Sequence, residues 1–439
     1  MGSIVSPQRR EEIIDSLRRG TVPHSGLDAF AVGLERFEPA IDQELAAARQ
    51  GRGVFKAVRA EYGGGKTFFA RWLQERAKRQ GFATSEVQIS ESETPLHRLE
   101  TIYRRMIERL STADSPGGAL RSILDAWFYT LEQEVMADGK LSEIDTAAVV
   151  ARTNELIEQR VRDVTTHAPA FSAVLRGYRS AMLADNKPIA DGLIAWLSGE
   201  PSVAADIKRA AGIKGEIDHI AALSFVQGLL LILRDAGYSG LIVVLDEVET
   251  LQRVRSDVRD KGLNALRQLM DEIDAGHFPG LYLLITGTGS FFDGPQGAQR
   301  LPPLAQRLQV DFSTEARFDN PRAVQIRLPG FDLERLSQVG RRIRDIYSEG
   351  SANAARIGEL ANDTYVEDLA RAVTGRLGGK VGIAPRIFLK KLVADILDRI
   401  DQFPDFNPRE HYGLTIAEAE LNDTERNLAA AQSVDDIEL

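Results

Sequence analysis

The segment AEYGGGKT at residues 60–67 constrains the fold of this chain more than any other feature of its sequence. A short run of β-branched and aromatic residues at 54–58 precedes it, and a helical pattern follows from Phe68 to about Gly81. A second strand pattern lies at 85–89. Strand, glycine-rich loop, helix and strand form a βαβ unit, so the sequence predicts an α/β fold with a parallel sheet.

The same segment fits the pattern G-x-x-x-x-G-K-[ST] except at its first position, where Ala60 replaces glycine. In this pattern backbone N–H groups cradle phosphates, the lysine binds the β- and γ-phosphate oxygens, and the hydroxyl binds Mg2+. Lys66 and Thr67 are therefore the predicted phosphate and metal ligands, and ATP with Mg2+ is the predicted ligand pair. A glycine turn with a chance Lys-Thr pair is the weaker alternative. The predicted cofactor-binding residues here are Tyr62, Gly63, Gly64, Gly65, Lys66, Thr67 and Phe68.

A continuous apolar run at 241–245 ends in Asp246 and Glu247. Such a run suits a strand buried on both faces, and parallel sheets bind ligands at the carboxyl ends of their strands. Asp246 can hold Mg2+ through water, and Glu247 can polarise the water that attacks the γ-phosphate. An acidic pair alone more often ends a solvated turn, but the phosphate loop upstream favours a catalytic pair. We expect Glu249 to be a surface carboxylate.

A second buried strand pattern at 281–285 runs into two hydroxyl residues, Thr286 and Thr288. Either side chain could hydrogen-bond the γ-phosphate or the attacking water if this strand lies beside the Asp-Glu strand. A glycine-rich turn with nothing bound is an equally good interpretation of the same residues.

Three arginines are candidates for completing the site. Arg300 and Arg307 precede the last predicted strand, and one of them, with Arg307 favoured, could reach the γ-phosphate of a neighbouring subunit. An ordinary surface arginine explains either residue equally well. Arg386 follows Pro385, which favours the first turn of a helix, and could contact ATP in its own subunit. A solvated arginine beside a capped helix is the alternative.

The rest of the chain is mostly helical in pattern and divides into four predicted parts. The region at about 111–215 is too long for one crossover connection, so we interpret it as a helical insertion into the core. The predicted parts are an N-terminal helical segment at 1–52, an α/β core at 53–330, a helical lid at 331–400 and a C-terminal tail at 401–439.

Composition limits the class of protein. Hydrophobic residues make up 43% and charged residues 27% of 439 residues, which is typical of a folded globular protein. No stretch approaches the roughly 20 apolar residues that span a bilayer, and the N-terminus lacks a signal-peptide pattern. Cysteine is absent, which excludes disulfides and thiolate metal sites. We therefore expect a cytoplasmic protein without membrane contact.

The net charge of −10 argues against a domain that simply coats DNA, because affinity for phosphate comes from lysine and arginine. A local basic stretch could still contact DNA. Interleaved Asp257 and Asp260 make a solvated helix face the better interpretation. The basic residues concerned are Arg253, Arg255, Arg259 and Lys261.

In this order and spacing, these features resemble an AAA+ ATPase of the origin-recognition and replication-initiator type. The chain resembles still more closely the ATP-binding proteins of bacteriophage-exclusion (BREX) systems. That closer resemblance lies in residues 13–23, 26–28 and 31–33, in EYGGGKT at 61–67 and in IAPR at 383–386. It spans most of residues 9–400 and implies a five-stranded P-loop sheet with a C-terminal helical lid.

The resemblance also implies roles. Val32 and Gly33 would line the adenine pocket, Thr286 or Thr288 would be the first sensor, and Arg386 the second. It implies an oligomeric ATPase in anti-phage defence that loads or remodels DNA or a DNA helicase. A slow nucleotide-dependent switch that gates a partner remains the alternative. The C-terminus after residue 400 is short and acidic, unlike the DNA-binding winged helix of replication initiators.

Overall fold

A five-stranded parallel sheet forms the centre of the chain. The computed structural model describes residues 5–139, 146–376, 385–416 and 420–421. The strands are β1 (Val54–Arg59), β2 (Ala83–Gln88), β3 (Leu241–Asp246), β4 (Leu281–Gly287) and β5 (Gln325–Arg327). Their order across the sheet is β2–β3–β4–β1–β5, and every pairing is parallel. The predicted α/β class and five-stranded parallel sheet are confirmed.

The central strands β3 and β4 are buried along their whole length, as their apolar sequences predict. Successive side chains of a strand point to opposite faces of the sheet. Val243 and Leu245 accordingly pack into one hydrophobic core, whereas Ile242 and Val244 pack into a second one. The sheet therefore needs helices on both faces.

The N-terminal helices lie on the second of these faces. The helix α1 (Pro7–Arg19) begins after Ser6, whose side chain accepts the backbone N–H of Arg9, and it ends before Gly20, which is in the left-handed conformation (φ 74°). The helix α3 follows the phosphate loop directly. The bounds are α1 (Pro7–Arg19), α2 (Glu38–Arg49) and α3 (Lys66–Arg79), with a 3-10 turn at Leu27–Ala29.

The helices between β2 and β3 cover the other face of the sheet. They are α4 (Leu99–Glu108), α5 (Leu120–Gly139), α6 (Thr146–Arg160), α7 (Arg162–His167), α8 (Pro169–Leu183), α9 (Lys187–Leu197), α10 (Ala205–Ala210) and α11 (His219–Asp235). Asp235 joins three of them, because it accepts hydrogen bonds from Trp127 of α5 (3.3 Å) and Arg160 of α6 (3.2 Å). The insertion predicted at about 111–215 falls within this helical region.

The remaining helices follow β3. They are α12 (Ser256–Asp274), α13 (Gly289–Asp293), α14 (Pro302–Leu308), α15 (Leu333–Ser348), α16 (Ala354–Leu360), α17 (Asp363–Arg376), α18 (Pro385–Lys390), a π-helical stretch (Lys391–Leu397), α19 (Asp398–Gln402) and α20 (Pro408–His411). We call α15 to α20 the C-terminal helices. Asp398 ties them to α1, since it pairs with Arg18 (2.7 Å) and accepts the Tyr347 hydroxyl (2.8 Å).

Parts of two sequence expectations lie outside the described residues: positions 383 and 384 of the IAPR motif, and most of the acidic tail beyond residue 416. Among the helices that the structure describes, none is long and apolar enough to cross a membrane.

Candidate nucleotide-binding site

The phosphate loop connects β1 to α3, and its glycines are required by its geometry. Gly63 and Gly65 have φ values of 75° and 88°, a region that side chains disfavour. A Cβ atom on Gly64 would lie 2.9 Å from both the Cβ of Ala60 and the carbonyl oxygen of Glu61. The methyl group of Ala60 therefore lies next to the space that Gly64 leaves open. This contact shows how the loop accommodates alanine at its first position.

Lys66 is enclosed by groups of the loop and of the segment after β3. Its Nζ donates to the carbonyl oxygen of Ala60 (3.2 Å), lies 4.8 Å from the centre of the Tyr62 ring and lies 3.4 Å from Oε1 of Glu249. Lys66 is 7% exposed and Glu249 3% exposed. The predicted phosphate ligand is thus already paired with a carboxylate inside the protein.

The expectation that Glu249 lies on the surface is wrong. A 3-10 turn at Val248–Gln252 follows β3 and directs this side chain under the phosphate loop. Burial raises the pKa of its carboxyl group, and the charge of Lys66 opposes that rise. The sequence signal was only a second acidic residue two positions after Glu247, which does not reveal the direction of the turn.

Asp246 joins the loop helix to two strands. Its Oδ2 accepts the hydroxyl of Thr67 at 2.9 Å, and its Oδ1 accepts the hydroxyl of Thr286. Burial raises the pKa of Asp246, while these two hydrogen bonds act in the opposite direction. Mg2+ is commonly held by one or two protein oxygens together with phosphate and water. The Thr67 hydroxyl and the Asp246 carboxylate are a donor set of that kind.

Glu247 has a strained backbone and an occupied side chain. Its φ of 62° is one of two positive values at non-glycine positions in the described residues. Its backbone N–H donates to the Thr286 hydroxyl (3.1 Å), and its Oε2 accepts from Nε2 of Gln88 (3.0 Å). Thr288 lies outside this network, with its hydroxyl 2.9 Å from that of Ser290. The structure therefore brings Thr286, rather than Thr288, to the acidic pair.

Gln88 was not predicted from the sequence. It is the last residue of β2 and lies opposite Asp246 in the pairing of β2 with β3. A polar residue at the end of a strand was the available signal, but the pairing partner of that strand lies far away in the sequence.

The phosphate loop opens into a cavity of about 340 Å3, a size in the range of small-molecule sites. Five parts of the chain line it: the segment around residues 17–34, the loop with the start of α3, Glu247, the segment at 328–331, and the C-terminal helices. Every predicted cofactor-binding residue is among the lining residues, namely Val32, Gly33, Tyr62, Gly63, Gly64, Gly65, Lys66, Thr67, Phe68 and Arg386.

Two arginines line the cavity from the C-terminal side. Arg386 lies beside Gly20, and its Nη2 donates to the carbonyl oxygen of Glu420 at 2.5 Å. Arg335 of α15 lies beside Gly33, where a Cβ atom would be 3.6 Å from its Nε. Arg335 was not predicted from the sequence, because a single arginine on an amphipathic helix carries no signal of its own.

The segment that precedes the loop is fixed to α3. The two oxygens of Glu75 accept the backbone N–H groups of Gly26 (3.0 Å) and Leu27 (2.9 Å). Arg71, one turn earlier, donates to the carbonyl oxygen of Val22 and pairs with Glu86 of β2. The cavity wall formed by residues 17–34 is therefore held by the helix that carries Lys66 and Thr67.

Arg300 and Arg307 do not line this cavity. Arg300 pairs with Asp260 and donates to the Ser256 hydroxyl (2.7 Å). Arg307 pairs with Asp271 and Asp274 of α12. It lies near the amino end of β1, whereas the phosphate loop follows the carboxyl end of that strand. A role for either arginine in a neighbouring subunit's site remains a prediction.

The predicted basic patch separates into different roles. Arg259 donates to the carbonyl oxygens of Leu251, Gln252 and Val254 and so holds the turn after β3. Arg253 donates to the Tyr62 hydroxyl (3.1 Å). Arg255 is 84% exposed, with its Nε 3.9 Å from Oδ1 of Asp257, and Lys261 is also exposed.

A glycine loop, an acidic pair and a cavity at one edge of a parallel sheet define a P-loop nucleotide-binding protein. The family described as BREX system ATP-binding protein BrxC/D has a model that matches residues 5–416, and the chain belongs to this family. No match was found among curated proteins or solved structures. The resemblance to BREX ATP-binding proteins is thus confirmed, which makes ATP the expected nucleotide and phage defence the setting.

Proposed function

We propose that this chain is an AAA+ protein that hydrolyses ATP to ADP and phosphate with Mg2+. The observation that carries the proposal is the Asp246 carboxylate, which accepts hydrogen bonds from both Thr67 and Thr286. This contact joins the loop helix α3 to β3 and β4 beside the cavity. Groups joined in this way can position a cation and a water against the same phosphate.

Each side chain then has a distinct task. Lys66 would bind the β- and γ-phosphate oxygens, and Glu247 would accept a proton from the attacking water. The Thr286 hydroxyl donates to Asp246 and accepts the backbone N–H of Glu247, so it fixes the two acidic residues relative to each other. Mg2+, held by Thr67 and through water by Asp246, would neutralise charge on the phosphates.

We further infer that the protein self-associates through ATP-bridged contacts and loads or remodels DNA or a DNA helicase. Membership of a phage-defence family supports a DNA-processing partner. The exposed Arg255 and Lys261 are the residues of the basic stretch best placed to contact DNA. In this proposal residues 331–400 act as a lid over the core at 53–330, and the protein works in the cytoplasm.

A second candidate function is a slow nucleotide-dependent switch that gates a partner without motor activity. The hydrogen bond from Gln88 to Glu247 favours it, because a carboxylate that already accepts a donor is a weaker proton acceptor for water. The two functions differ in turnover rate and in the response of that rate to DNA.

The test is ATPase activity of the wild type and of Glu247→Gln, each with and without single- and double-stranded DNA. We expect the variant to lose at least about 100-fold in kcat while still binding ATP, since the amide cannot accept the proton. Glu93→Gln, which removes an exposed carboxylate near the same sheet edge, is the matched control. Full activity of Glu247→Gln would contradict the proposed role, and slow, DNA-independent turnover of the wild type would favour the switch.

A further inference from the structure

Glu249 has no role in the reaction proposed above, although it lies next to Lys66, the proposed phosphate ligand. Within the described residues, its carboxylate accepts no hydrogen bond except from Lys66 and from its own backbone N–H. Among the residues that the structure describes, its ion-pair partner is Lys66, whose Nζ lies 3.4 Å from Oε1. A buried carboxylate with so few donors is costly unless a cation compensates it, so this pair needs an explanation.

The geometry makes Glu249 a competitor of phosphate. The ammonium group of Lys66 is shared between the Ala60 carbonyl oxygen, the Tyr62 ring and Glu249. A phosphate that binds Lys66 must share the same ammonium, and it brings negative charge towards a carboxylate that water barely screens. The like charges therefore repel each other where the β- and γ-phosphates are expected to bind.

We propose that Glu249 is a positioning residue that holds Lys66 in competition with the nucleotide phosphates and thereby weakens the binding of ATP and ADP. The proposal rests on the nucleotide site proposed above and concerns its regulation. By weakening the hold on ADP, the same competition speeds release of the product. AMP has no β- or γ-phosphate, so Glu249 leaves its affinity unchanged.

The test compares the full-length wild type with Glu249→Gln, in titrations with ATP, ADP and AMP, using competition against a fluorescent nucleotide for weak binders. The variant is expected to lower Kd for ATP and ADP at least tenfold, with AMP unaltered. Glu93→Gln again serves as the control, because it removes one exposed carboxylate and no contact with Lys66. Unchanged or weaker ATP binding, or an equal change for all three nucleotides, overturns the proposal.

A second variant covers a failure of Glu249→Gln to fold. Glu249→Met is of similar size and removes the charge without adding a polar group that lacks a partner. It is expected to show the same tenfold gain for ATP and ADP. If the wild type binds no ATP, the proposed function fails. If the wild type binds ATP and both variants bind it no more tightly, only the role of Glu249 fails.

Discussion

At the scale of single residues, the phosphate loop depends on the absence of a side chain at Gly64. The two atoms that a Cβ atom would meet at 2.9 Å include the carbonyl oxygen of Glu61, which belongs to the backbone and cannot rotate away. The loop must therefore change shape to accept any side chain there, although Gly64 has no left-handed φ.

We expect Gly64→Ala to weaken ATP binding at least about tenfold, because the loop N–H groups would no longer point at one phosphate position. Gly117→Ala is the matched control, since that glycine is exposed and its added Cβ would have no neighbour within 4 Å. Calorimetric titration with ATP measures the effect, and thermal unfolding verifies that both variants fold. Wild-type affinity of Gly64→Ala would contradict the geometry described for the loop.

The sequence predicted the residues whose chemistry follows from a local pattern. The loop lysine and threonine and the Asp-Glu pair all lie where the strand and helix pattern placed them, and all but Asp246 line the cavity. Gln88, Glu249 and Arg335 could not be predicted in the same way. Their positions depend on strand pairing, on the direction of one turn and on the docking of a distant helix.

At the scale of elements, the connection between α3 and the segment before it is a pair of charge-assisted hydrogen bonds. Glu75 lies one turn after Arg71 on α3 and is 9% exposed. Its carboxylate accepts both the Gly26 and the Leu27 N–H groups, so it needs two acceptor oxygens. Hydrogen bonds to a charged, buried group are among the stronger ones in proteins.

Glu75→Gln should therefore lower the free energy of unfolding by about 1–3 kcal/mol, because the amide nitrogen cannot accept the second N–H. Glu108→Gln on the exposed side of α4, which breaks an ion pair with Arg105, should cost less than about 1 kcal/mol. Urea unfolding of both variants provides the comparison. Equal losses in the two variants would show that the contact to residues 26 and 27 adds nothing to stability.

The bounds of the strands follow from the local sequence, whereas their order in the sheet depends on contacts between distant parts of the chain. The fully buried strands β3 and β4 were predicted to within one or two residues, because buried parallel strands have nearly continuous apolar sequences. No local pattern in the sequence predicts the order of the strands. That order depends on where each connecting helix returns the chain to the sheet.

At the scale of the whole molecule, the predicted arginine finger, Arg307, is placed to act between chains rather than on the nucleotide of its own chain. Arg307 lies at the edge of the sheet opposite the phosphate loop, is 36% exposed, and pairs with Asp271 and Asp274. It would have to leave these carboxylates to reach a neighbour's nucleotide. Surface ion pairs of this kind contribute little to stability, so breaking them to bind a phosphate would cost little free energy.

We expect Arg307→Ala to abolish hydrolysis while leaving ATP binding of the single chain within about twofold, because an arginine supplied in trans contributes to kcat rather than to binding. Arg300→Ala, which breaks the pair with Asp260, is the matched control and should retain activity. ATPase rates and particle mass in the presence of ATP are the measurements. A monomer that hydrolyses ATP at the full rate would exclude action between subunits.

The strand order also determines when the site can exist during synthesis of the chain. The first two strands made, β1 and β2, are not neighbours: β1 pairs with β4 and β5, and β2 pairs with β3. The helices α4 to α11 lie between β2 and β3, so they must leave the ribosome before β2 gains its partner. The strand β1 gains its partner β4 only after Gly287 has emerged. A nascent chain therefore carries its glycine loop on an unpaired strand until residue 287 has been made. That strand edge must be shielded from other chains until the sheet closes around it.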